Sequence, residues 1–143
     1  MATTITQISI FLENKIGSLN ETMELISRAE IRIIAATVSD TSEYGILRLI
    51  TTDNARAMEL LRSERKNCAQ SEVIALSCEA TAASFYDRLK VLSADGVVID
   101  YMYCFSIKER SFIILRVSDN DKAMVSIMRN GLKSLSESEL TNL

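Results

Sequence analysis

Along the first half of the chain, apolar residues recur at every second position and then at every third or fourth. Ile8, Ile10 and Leu12 alternate with Gln7, Ser9 and Phe11, the period of a strand with one buried face. Leu19, Met23, Ile26 and Ala29 follow at helical spacing and define a single apolar stripe. Residues Ile31 to Ser39 are rich in β-branched side chains and predict a second strand. Asp40 to Tyr44 read as a polar connection, and Gly45 to Thr51 as a third strand with Leu47 and Leu49 on one face. Asp53 or Asn54 is placed to cap a second helix whose buried stripe is Ala57, Met58 and Leu61. A short fourth strand near Asn67 to Ala69 completes the order β-α-β-β-α-β.

The same order then recurs. A gapless shift of 66 residues superposes Ile8 on Ile74, Glu13 on Glu79, Ser18 on Ser84, Asp53 on Asp119, Asn54 on Asn120 and Met58 on Met124. Apolar positions follow, with Leu19 on Phe85, Met23 on Leu89 and Leu61 on Ile127, so the chain is a duplication. The expected fold class is α+β, with two tandem ferredoxin-like βαββαβ units pairing side by side, each an antiparallel sheet with helices on one face. The expected domains are 1–70 and 71–143. No linker separates them, and the last strand of the first runs almost directly into the next around Gln70 to Val73, so the halves are expected to pack as one body. Ile46, Ile50, Phe112 and Ile114 fall on the sheet faces away from the helices. An uncovered apolar face there predicts association with a second chain or a partner.

Between the first strand and the first helix lie Glu13, Asn14, Lys15, Ile16, Gly17, Ser18 and Leu19. A turn glycine, several polar groups and a helix start coincide here, and a helix N-terminus with spare N–H groups favours a carboxylate or phosphate. Ser18 followed by Glu21 is equally a capping-box pattern, in which the helix satisfies its own donors. Asn14 suits either a ligand contact or an Asx turn.

Charge and composition narrow the function. The net charge is −3 at a pI near 5.1, with scattered basic residues, which argues against nucleic acid or an anionic membrane as partner. The N-terminus has no basic and apolar leader pattern, and no apolar run approaches the ~18 residues of a membrane span. Cys68, Cys78 and Cys104 are odd in number and lack metal-binding spacing, which suits free thiols in a reducing cytoplasm. There is no histidine, which removes the commonest general base and metal ligand. Met58, Met124 and Met128 read as core fillers, and Arg48 and Arg116 as strand arginines held by interface ion pairs. No catalytic residue, metal or cofactor is implied.

Three stretches carry a family resemblance: Phe11 to Leu19, Thr41 to Leu49, and Asp100-Tyr101-Met102-Tyr103-Cys104-Phe105. With the duplicated topology from about Ile5 to Leu140, they make the chain similar to tandem ACT-domain proteins, regulatory modules that bind amino acids. The resemblance implies a non-catalytic sensor with a free amino acid as effector, bound between the repeats. It implies that the loop Asn14, Lys15, Ile16, Gly17, Ser18 and Leu19 faces Tyr101, Met102, Tyr103 and Cys104. The second loop, Ala80 to Phe85, would face Ala35 to Ser39. A homodimer and a partner enzyme of amino-acid metabolism are the expected associations. The alternative is a ligand-free ACT-like module that acts on a partner enzyme through its assembly surface. The chemistry favours the first loop: Gly17 permits a close backbone approach, Asn14 offers a donor and an acceptor, and Tyr101 and Tyr103 share a strand face. The family's usual proline before the loop glycine is Ile16 here. In the second repeat Ala82 and Ala83 replace both positions, so the second site is expected to be degenerate.

Overall fold

The computed structural model describes residues 3–13, 16–40 and 44–143. The chain divides into two compact units: Thr6–Ser71, and Glu72–Leu143 joined by the N-terminal stretch through Ile5.

In the first unit, β1 (Ile5–Glu13) leads to α1 (Ser18–Ser27), β2 (Ile33–Asp40), β3 (Tyr44–Thr51) and α2 (Asn54–Ser63). β3 lies between β1 and β2, antiparallel to both. Ile8, Ile10 and Leu12 of β1 pack with Leu47 and Leu49 of β3 under Leu25 and Ile26 of α1 and Ala57, Met58 and Leu61 of α2. Apart from Leu25 these are positions read from the sequence; of the stripe expected on α1, Ile26 and Ala29 are buried, Met23 is partly buried and Leu19 is exposed. Removing such a stripe from water is the main source of stability, at about 1.5–3 kcal/mol for each large side chain fully buried.

The second unit repeats the plan with β4 (Cys68–Glu79), α3 (Ala82–Ala94), β5 (Ile99–Ile107), β6 (Arg110–Val117) and α4 (Asn120–Arg129). β6 pairs with β4 and β5. The registers match those of the first unit under the 66-residue shift: Ile8 opposes Leu49 as Ile74 opposes Leu115, and Thr37 opposes Arg48 as Tyr103 opposes Ile114. Even the irregularity at Ile33 to Ala35 recurs at Ile99 to Tyr101. Asp53 and Asp119 cap α2 and α4 by accepting from the Arg56 and Lys122 N–H groups, each at 3.1 Å. Two tandem ferredoxin-like units are therefore present, as the pattern predicted.

Three local expectations need correction. The separate strands expected around Asn67 to Val73 are one strand, β4, because no glycine or proline interrupts an extended, β-branched run. The final strand of the second repeat shrinks to a bridge between Leu76 and Ser134, followed by α5 (Glu137–Thr141), which Ser136 and Glu139 start with a reciprocal capping box. Of the residues expected on the uncovered sheet faces, Ile50, Phe112 and Ile114 are buried and Ile46 is half-buried. In β4 the consecutive residues Val73, Ile74, Ala75 and Leu76 are all fully buried, as are Phe112 to Leu115 in β6, the signature of strands covered on both sides. The C-terminal segment folds back onto this unit, since the Leu135 N–H bonds to Ala75 O at 2.8 Å and Leu135 and Leu140 are buried.

Candidate functional site

The loop before α1 is shaped by Gly17, whose φ of 89° is left-handed backbone. This turn makes Gly17 the N-cap residue and Ser18 the first helical residue, and among the described residues no side chain caps the helix. The capping-box expectation for Ser18 and Glu21 is thus overturned: Ser18 has already entered the helix, where its carbonyl accepts from the Thr22 hydroxyl at 3.1 Å. Glu21 instead pairs with Lys66 at 3.8 Å. Among the described residues no side chain caps the first amides of α1, and the positive end of a helix favours a negative group.

The copy of this loop is built differently. α3 begins at Ala82, two positions earlier than the equivalent of Ser18, and Thr81 caps it by accepting from the Ser84 N–H at 3.1 Å. The buried Ser84 hydroxyl in turn accepts from the Glu79 N–H at 3.0 Å. Serine is retained in both loops and caps neither helix; in the second it ties the loop to itself.

Beside Gly17, the first unit holds a groove of about 680 Å³. Its walls come from the end of β1, the first turns of α1, Tyr44 at the start of β3, and residues 64–67 between α2 and β4. Phe11 and Tyr44 meet edge to face with ring centroids 5.8 Å apart and form an aromatic side. Glu13, Glu21 and Glu64 set carboxylates against the cations of Arg65 and Lys66. The turn after α2 places those cations. The Arg65 N–H bonds to Arg62 O at 3.0 Å and the Lys66 N–H to Leu61 O at 2.9 Å, a Schellman closure. Arg65 takes the left-handed position with φ 56°, where glycine is usual; its repeat equivalent is Gly131, φ 65°.

Of the residues expected at the site, Ser18 lines this groove. Gly17 and Leu19 adjoin it in sequence, and Ile16 is fully exposed at the loop. Asn14 and Lys15 lie outside the described residues. Tyr101, Met102, Tyr103 and Cys104 belong to the other unit, on β5. There the strand alternation separates them: Tyr101 and Tyr103 are half-buried on one face, while Met102 and Cys104 are exposed on the other. Arg48 donates to the Ser39 hydroxyl at 2.9 Å across β2 and β3.

Sequence reasoning missed the parts that Tyr44, Glu64, Arg65 and Lys66 play in the groove. A signal was present in the duplication, because at all four positions the copies differ in chemistry: Tyr44 against Arg110, Glu64 against Asn130, Arg65 against Gly131, and Lys66 against Leu132.

Neither cysteine with a perturbed thiol suits nucleophilic chemistry. Burial raises the Cys68 thiol above its ordinary range, as it does that of Cys78, and both thus favour the unreactive protonated form. Among the described residues no cluster of acidic or thiol side chains is arranged to hold a metal ion, and no helix is long and apolar enough to cross a membrane.

The family profile described as an ACT domain pair matches residues 3–143. Among solved structures, protein BT0572 from Bacteroides thetaiotaomicron is similar at 32% identity and a TM-score of 0.92, over 99% of both chains. The ligand-free regulatory subunit of aspartate kinase from Thermus thermophilus is similar at 12% identity and TM-score 0.62, over 90% of this chain and 93% of that one. The corresponding subunit from Thermus flavus gives 13%, 0.61 and the same coverage. These two likenesses are of fold. Comparison with curated proteins gives no match.

Proposed function

The chain belongs to the ACT-domain-pair family, and from that premise we propose that it is a non-catalytic regulatory protein whose state is set by a free amino acid bound at the loop before α1. The observation that carries this reading is the inequality of the two loops. The first starts its helix on a left-handed glycine, with no side-chain cap among the described residues, and opens beside a groove, whereas the second is capped by Thr81 and tied down by Ser84. The amides after Gly17 suit an α-carboxylate. In this reading Asn14, Lys15, Ile16, Gly17, Ser18 and Leu19 form the binding loop, and Tyr101, Met102, Tyr103 and Cys104 are the candidates to complete it from the second repeat. Output passes through a homodimer or a partner enzyme, with a coupling of about 1–3 kcal/mol between ligand and partner state.

A thermal-shift panel of the free amino acids tests this directly. A ligand at about a hundredfold its dissociation constant adds roughly 2.7 kcal/mol, and at least one amino acid should raise the melting temperature. A panel flat at millimolar concentrations overturns the reading.

A second reading, a ligand-free interaction module, is favoured by the outer face of α4. Val125 and Met128 are exposed there where the first repeat carries Glu59 and Arg62. It predicts assembly that amino acids leave unchanged, which light scattering with and without them would distinguish.

A further inference from the structure

We propose that the groove of the first unit takes a cationic group, a guanidinium above all, because the second unit fills the equivalent place with arginines of its own. This names the ligand class for the site proposed above and rests on that reading.

The comparison is possible because the two frames coincide. The Phe11 N–H bonds to Asn67 O at 2.8 Å, and the repeat-related Ser77 N–H bonds to Lys133 O at the same distance. On that shared frame, Arg88 occupies the position of Thr22, and its Nε donates to Ser77 O at 3.2 Å. Arg110 occupies the position of Tyr44. Its Nη2 donates to the Ser77 hydroxyl at 3.5 Å, and its guanidinium lies 5.0 Å from the Phe112 ring centre. Two guanidinium groups thus converge on the end of β4 in the second unit.

At the equivalent end of β1 both arginines are missing. Thr22 is short, and its hydroxyl turns back to Ser18 O within α1. The space vacated is part of the groove, and Phe11 O is the counterpart of the carbonyl that Arg88 uses. What surrounds the space suits the same chemistry. The aromatic pair of Phe11 and Tyr44 provides ring faces for a cation. Three carboxylates, Glu13, Glu21 and Glu64, and two cations, Arg65 and Lys66, line the groove, and Glu21 and Lys66 pair with each other. A planar, weakly hydrated guanidinium meets a carbonyl, a carboxylate and an aromatic ring together more readily than an ammonium does. The ligand class that follows is an amino acid with a basic side chain, its carboxylate toward the amides after Gly17 and its cation in the groove.

Calorimetric titration of the full chain with L-arginine, L-citrulline and agmatine tests this. Citrulline keeps the shape without the charge, and agmatine keeps the charge without the carboxylate. Arginine should bind at one per chain, and citrulline at least about tenfold more weakly, since a hydrogen bond to a charged group contributes roughly 1.5–3 kcal/mol. Tyr44→Arg and Thr22→Arg each copy the second unit and should abolish arginine binding. Tyr44 is an exposed position, so that variant reports even if replacing the buried Thr22 disturbs folding. Equal affinity for arginine and citrulline, or undiminished arginine binding by Tyr44→Arg, overturns the inference. If a neutral or acidic amino acid binds and arginine does not, the inference fails while the effector reading stands. Agmatine binding in the absence of binding by any amino acid would support the cation site and overturn the effector reading.

Discussion

The turn that closes the groove carries backbone strain whose size can be worked out and measured. Arg65 sits at φ 56° in the Schellman turn after α2, and Gly131 at φ 65° in the same turn after α4. For a residue with a Cβ, left-handed backbone costs about 1–2 kcal/mol, a cost that glycine escapes. Replacing Arg65 with glycine removes this strain but loosens the unfolded chain, which offsets about 0.4–1 kcal/mol. The net expectation for Arg65→Gly is a stabilisation of roughly 0.5–1 kcal/mol. Gly131→Ala should lose a similar amount, and by strain alone, because a Cβ built at Gly131 meets nothing within 4 Å. Urea unfolding reads both, since about 1 kcal/mol moves the midpoint by about 0.5 M when m is near 2 kcal/mol/M. The m value must stay constant for the comparison to hold. Destabilisation by Arg65→Gly would refute the strain account and mean that the guanidinium makes contacts worth more than the backbone cost. If the strain account holds, the unrelieved left-handed arginine at the groove fits the tendency of such strain to persist at functional sites.

Other consequences follow from single positions. Gly17→Ala should cost about 1 kcal/mol through its φ of 89° alone, as its Cβ would meet nothing within 4 Å, and it should weaken any amino-acid-induced thermal shift; an unchanged shift would make the loop merely a turn. In the first unit the Thr51 hydroxyl donates to Asn54 Oδ1 at 2.6 Å, whereas the buried Asn120 Oδ1 has no partner among the described residues and Val117 stands where the threonine would be. Val117→Thr should therefore be neutral or stabilising by up to about 1 kcal/mol and destabilising in an Asn120→Ala background, as a double-mutant cycle would show. Leu61→Ala, at a fully buried core position, should cost about 2–5 kcal/mol in the same assay. The Asp95 carboxyl is held below its ordinary range by the Ser126 hydroxyl, with help from Asn130 and Arg129. A carboxylate depressed in the folded state stabilises above its unfolded pKa and loses that contribution as pH falls through about 4 and lower. Ser126→Ala should accordingly raise the pH of acid unfolding monitored by circular dichroism.

Much of this protein was legible in one dimension because its signals are local and repeated. Alternation at Ile8, Ile10 and Leu12 and helical spacing at Ala57, Met58 and Leu61 mark positions that the core then buries. The aspartates at 53 and 119 announce helix starts that their side chains then cap. Capping boxes were less decisive. The pattern at Ser18 and Glu21 does not form one, while the pattern at Ser136 and Glu139 does. The difference is the residue before the serine: Gly17 takes the left-handed turn and becomes the cap itself.

The duplication, the order of elements and the two helix-facing cores were written in the one-dimensional pattern, since periodicity dictates which side of each element must leave water. What happens where elements meet came from packing in three dimensions. It closed the outer sheet faces over Phe112 and Ile114, and it brought Arg65 and Lys66 beside the loop of Gly17, some 48 residues away in sequence. It also filled one groove with Arg88 and left its twin open at Thr22. Those outcomes depend on the reach of individual side chains across a shared backbone frame, which no local period encodes.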